Sequence, residues 1–62
     1  MTEDDILAAV IGRERVHVKA SDYSYIGWLV VAFRKNSGQM RCVVEDENGR
    51  LFIHNPTQLE TL

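Results

Sequence analysis

Sixty-two residues make one domain, and a chain this short buries only about 60% of the surface its unfolded form exposes. Nine acidic residues against seven basic ones leave a formal charge of −2. That balance disfavours bulk nucleic-acid binding, where neutralised phosphates supply most of the affinity. Cys42 is the only cysteine, so no internal disulfide can form, and no apolar stretch approaches the roughly 20 residues that span a bilayer.

Small domains close their stability gap with disulfides, a metal or a partner subunit. With one cysteine and two histidines lacking recognisable ligand spacing, the first two routes are not expected, and no cofactor is. Self-association or tight packing remains. The opening MTEDDILAAVIG is acidic where a signal peptide is basic, and a lone thiol suits a reducing compartment, so a cytoplasmic location is expected.

Thr2 followed by Glu3, Asp4 and Asp5 predicts a helix start over residues 2 to 12. The hydroxyl caps free N–H groups, Asp5 completes a capping box, and the carboxylates suit the positive end of the helix dipole. Ile6, Leu7, Val10 and Ile11 fall at helical spacing on one face, and Gly12 is the expected terminator. A helix of about nine residues is marginal alone and must dock on something.

Val16 to Lys19 alternates apolar with polar, which predicts a short half-buried strand. Ala20 to Ser24 is a polar loop. The stretch Ile26 to Phe33 is apolar on both faces, with Ile26, Trp28, Val30 and Ala32 on one side and Leu29, Val31 and Phe33 on the other. Such a strand needs cover on both sides, from the barrel core and then from the helix, the C-terminal tail or a second subunit.

Gly38 marks the turn at residues 34 to 39, and Met40 to Glu45 returns as a strand. Asn48-Gly49 between apolar runs signals a hairpin, either a two-residue turn or a type I turn with a bulge at Gly49. Leu51 to His54 is the last long strand, Asn55-Pro56 breaks it, and Thr57 to Glu60 suits one helical turn. This order predicts a mainly β fold. It is a small SH3-like antiparallel barrel of four or five strands over residues 16 to 60, with the short N-terminal helix and a C-terminal helical turn added.

From Ile26 onward the chain resembles the plasmid-borne type II dihydrofolate reductases, on Gly27-Trp28, Val44-Glu45, a Gly-containing turn, Leu51-Phe52-Ile53-His54 and Leu59-Glu60. Those proteins are SH3-like barrels that assemble as tetramers around a pore. The resemblance implies the barrel, a tendency to oligomerise, and a link to a mobile genetic element. Their pore strand is Val-Gln-Ile-Tyr, where this chain has Leu51, Phe52, Ile53 and His54. Neither Phe52 nor His54 reproduces the amide or the phenol, so reductase activity is not implied. An oligomeric pore with His54 inside is the enzymatic alternative.

No nucleophile elbow and no phosphate-cradling loop occurs, so a catalytic role is not expected. Cys42 is a small buried residue or a thiol activated by Arg41, and His17 and His54 could meet near Asp22 or Glu45. Glu45-Asp46-Glu47 is a solvated tip that discourages edge aggregation. Tyr23, Tyr25 and Trp28 offer rigid area with polar tips for a protein partner. Leu29, Val31, Phe33 and Phe52 are the candidates for self-association. Arg34, Lys35 and Arg41 form a basic patch for nucleic acid, the alternative partner.

Overall fold

Thr2 opens helix α1 (Glu3–Gly12) with the predicted capping box. Asp5 N–H donates to the Thr2 hydroxyl at 3.2 Å, and Thr2 N–H donates to the Asp5 carboxylate at 3.4 Å, in a computed structural model describing residues 1–62. The terminator is not Gly12. Arg13 takes the left-handed conformation, φ 49° and ψ 48°, and its N–H bonds back to Ala9 and Val10. Ile6 and Ala9 carry the buried stripe, Val10 is half-buried, and Leu7 and Ile11 face solvent. Residues 7 and 11 sit one step, about 100°, round the helix from 6 and 10, so both pairs cannot face one sheet.

The strands are β1 (Arg15–Lys19), β2 (Ser24–Arg34), β3 (Met40–Glu45), β4 (Leu51–His54) and β5 (Leu59–Thr61), with a 3-10 turn at Pro56–Gln58 before the last. All pairings are antiparallel, and the sheet order is β4-β3-β2-β1-β5. The mainly β class, the N-terminal helix and the C-terminal helical turn are therefore as the sequence predicts. Leu59 belongs to a strand rather than to that turn. The sheet is open, with β4 and β5 at its edges. It curls enough that Val44 of β3 and Leu59 of β5 share one core with Ile6, Ala9, Val16, Val18, Leu29, Met40 and Cys42.

Long β2 belongs to both halves of the sheet, and its register against β3 slips between Leu29 and Val31. Leu29 pairs with Val44 and Val31 with Val43, so Val30 is an extra residue. The extra residue reverses the alternation. Ile26 and Trp28, ahead of the bulge, share the outer face with Val31 and Phe33 beyond it, while Leu29 shares the inner face with Ala32. The side assignment made from strict alternation is thus corrected: Leu29 is 0% exposed and Val31 is 45% exposed.

At the hairpin, Asp46 N–H bonds to the Arg50 carbonyl, and Gly49 N–H to the Asp46 carbonyl. Gly49 has φ +80° and Asn48 has no positive φ, which selects the type I turn with a glycine bulge over the two-residue turn. Gly27 is required for a different reason. A Cβ there would lie 2.6 Å from the Glu45 carbonyl oxygen and 2.6 Å from a Val44 methyl, where β2 crosses β3 closely.

Candidate functional site

The helix covers the inner face of the sheet, through Ile6 and Ala9. The outer face is left open. Residues paired across neighbouring strands share a face, which groups Ile26, Trp28, Val31 and Phe33 of β2 with Val43 of β3 and Leu51 and Ile53 of β4. Leu51 and Ile53 are 61% and 63% exposed, and only Val43 of the seven is half-buried. Charged groups rim the patch. The Arg15 guanidinium lies 5.7 Å from the Trp28 ring centre, Arg41 sits opposite Phe33, and Glu45 sits opposite Trp28. On the β1 side, Glu60 lies 3.6 Å from the Lys19 ammonium and 3.9 Å from His17 Nδ1.

A second feature lies between the β1–β2 loop and the β3–β4 hairpin, a cleft of about 740 Å³ walled by Tyr23, Tyr25, Ile26 and Phe52. Tyr23 and Tyr25 stack with ring centres 6.1 Å apart, and Phe52 meets Tyr25 edge-on at 6.0 Å. Beneath them, the Tyr25 hydroxyl is 2.6 Å from Nε2 of His54, a buried residue. Burial pushes the His54 pKa below the ordinary imidazole value, and a hydrogen bond donated by its ring to the Gln58 side chain pulls it only partly back. In the neutral tautomer protonated at Nδ1, the ring accepts a hydrogen bond from the Tyr25 hydroxyl at Nε2. Burial, with help from Tyr23 and Asp46, raises the Tyr25 pKa, so its hydroxyl keeps that proton.

Asp46 closes the rim of the cleft but is already engaged. Its carboxylate accepts from the N–H groups of Asn48 and Arg50 and from the Arg50 side chain, each at 2.9 Å. Desolvation acts to raise its pKa; the Arg50 and Asn48 hydrogen bonds outweigh that and hold it below the ordinary carboxylate value. Arg50 also lies 5.6 Å from the Phe52 ring centre. Of the three carboxylates at this hairpin, Asp46 is therefore the one held by internal partners.

The structure regroups the residues singled out from sequence. Tyr23 and Tyr25 meet each other, but Trp28 stands on the opposite face and joins Val31 and Phe33. Leu29 leaves the self-association set because the bulge turns it into the core. Phe52 points to the inner side of β4, away from the patch formed by Leu51 and Ile53. Arg34 is drawn to the helix side, where it pairs with Glu3 and donates to the Gly38 carbonyl at 2.9 Å. Arg41 is on the outer face, bonded to the Met40 carbonyl and the Gln39 side chain, and Lys35 is exposed in the turn between. Arg34, Lys35 and Arg41 thus do not form one patch.

His17 faces outward and His54 inward, so the two do not converge. Cys42 is 0% exposed, and burial raises its thiol pKa against the weaker pull of the amino terminus and Arg41, which leaves it a packing residue. Sequence reasoning did not find the Tyr25–His54 contact, because 29 residues of separation carry no periodic signal. Leu51 and Ile53 were legible as an apolar alternation in a strand, but which of its faces is covered depends on the helix. Comparison with protein families, with curated proteins and with solved structures found no match for this chain.

Proposed function

We propose that this protein is a non-catalytic interaction module that self-associates and uses the outer face of its sheet as the contact surface. The observation that carries this reading is the grouping of Ile26, Trp28, Val31, Phe33, Leu51 and Ile53 on one face that neither α1 nor the C-terminal segment covers. A contiguous apolar patch with a charged rim is the usual anatomy of a protein contact site. Sedimentation velocity over a micromolar concentration series tests it. Association that weakens in Val31→Lys, an exposed position, supports the reading; a monomer throughout the series overturns it.

A second reading is favoured by one feature of the same face. Trp28 carries Arg15 against its ring and Phe33 sits opposite Arg41, the pairing of flat ring and cation that holds single-stranded nucleic acid. The acidic residues Glu3, Asp4 and Asp5 are on the helix, behind the sheet. Titration with labelled single-stranded DNA and RNA at low and raised salt tests it, and the absence of salt-sensitive binding removes it.

A further inference from the structure

We infer that two copies of the chain join edge to edge through β4, antiparallel, with Phe52 facing Phe52 of the second copy on the twofold axis. This rests on the self-association proposed above and adds to the outer-face contact a second one, along the β4 edge.

The hydrogen-bond parity of β4 points outward at two residues. Asp46 and Arg50 form a hydrogen-bonded pair, since Asp46 N–H reaches the Arg50 carbonyl at 2.9 Å. Antiparallel ladders alternate, so Leu51 opposite Glu45 is a non-bonded pair, Phe52 opposite Val44 a bonded one, and Ile53 opposite Val43 non-bonded again. The N–H and C=O groups of Leu51 and Ile53 therefore point away from β3, along the free edge. Four backbone groups stand in a row there with no strand beside them.

Natural edges are guarded by charge, proline, shortness or cover, and the two edges of this sheet differ. Strand β5 has three residues, of which Glu60 is charged and Thr61 is polar. Strand β4 has no charge and no proline within Leu51–His54, and its three apolar side chains are all exposed. At four residues it is short, but it is the less guarded of the two edges, and strand addition is the contact such an edge makes.

A second copy fits this edge better than an arbitrary strand because the segment is self-complementary. With Phe52 opposite its mate, Leu51 falls opposite Ile53 of the second copy and Ile53 opposite its Leu51. Those are the residues whose backbone groups face outward, so both pairs form bonded pairs of an antiparallel ladder, four hydrogen bonds in all. The Phe52 pair falls at the non-bonded position, where side chains approach most closely. On the outer face, Leu51 and Ile53 of both copies make one apolar strip continuous with Val43 and Val31. No like charges meet: Arg50, held by Asp46, falls opposite the neutral His54 of the second copy.

Mild oxidation of Phe52→Cys tests the register, with Thr61→Cys on the opposite edge as control; the native Cys42 is buried and silent in the wild type. A non-bonded antiparallel pair holds its Cα atoms about 4.5 Å apart, within disulfide reach. The expected result is a covalent dimer from Phe52→Cys and none from Thr61→Cys. Hydrogen exchange on the unmodified protein reads the same contact without mutation, since the Leu51 and Ile53 amides should gain protection as concentration rises. A dimer in which those amides exchange freely and Phe52→Cys stays monomeric on oxidation overturns the β4 pairing while leaving self-association standing. A wild-type monomer at every concentration overturns both.

Discussion

The Tyr25 hydroxyl lies 2.6 Å from Nε2 of His54, and this contact ties the second strand to the fourth across the aromatic cleft. His54 is buried, so removing the hydroxyl leaves its ring nitrogen short of a protein partner. Tyr25→Phe should therefore lower unfolding free energy by about 1–3 kcal/mol, the cost of a buried acceptor left unmet. Urea titration at pH 7.5 measures it. An unshifted midpoint would show that the hydroxyl does not serve the imidazole.

The same burial gives stability a defined pH dependence. The folded state holds His54 neutral with a pKa below the unfolded value of about 6.5. Between those two values the unfolded chain binds more protons, so stability is full above about pH 6.5 and falls as pH drops toward the folded pKa. Asp46, whose pKa is lowered, contributes stability above its ordinary range near 4 and loses it only at lower pH. Thermal melts from pH 8 to pH 4.5 should show the first loss, and His54→Leu should flatten it. A wild-type melting point constant over that range contradicts the assignment.

Gly27 is the tightest point of the sheet. Its Cβ position is occupied on one side by the Glu45 carbonyl, which belongs to backbone and cannot swing aside. Gly27→Ala should destabilise by about 1–3 kcal/mol through overpacking, despite alanine's better strand propensity. Gly38→Ala and Gly49→Ala meet no atom within 4 Å, so any cost there comes from positive φ alone. Denaturant midpoints of the three variants give the costs, and amide chemical shifts separate the two causes, because only Gly27→Ala should shift those of β2 and β3 broadly.

Much of this fold was legible because its signals are local. The capping box at Thr2 and Asp5, the glycine of the hairpin and the bounds of β3 and β4 each depend on a few adjacent residues. The helix end was misjudged for a physical reason. Glycine is the cheap left-handed terminator, yet here the left-handed residue is Arg13, one position later. A side chain in that region costs about 1 kcal/mol or more. Arg13→Gly should accordingly stabilise the domain by about 0.5–1 kcal/mol, and Gly12→Ala should be tolerated better than a terminating glycine would allow. Thermal denaturation of both variants checks the position of the cap.

The contact surface was only half legible, because one inserted residue decides it. Strict alternation along Ile26 to Phe33 places Leu29 with Val31 and Phe33, and Trp28 with Val30 and Ala32. The slip between Leu29 and Val31 exchanges those partners, and no composition signal marks Val30 as the extra residue. The two assignments predict opposite mutational behaviour. With the bulge, Leu29→Ala empties a fully buried site and should cost about 2–5 kcal/mol, enough to unfold much of a domain this small. Val31→Ala removes methyl groups from an exposed position and should change monomer stability by no more than about 0.5 kcal/mol. Urea titrations below the association range read the monomer terms, with Leu29→Val as the milder variant should Leu29→Ala not fold. Equal costs at the two positions would mean that they share one face and that the strand runs without a bulge, which would turn the proposed contact surface inside out.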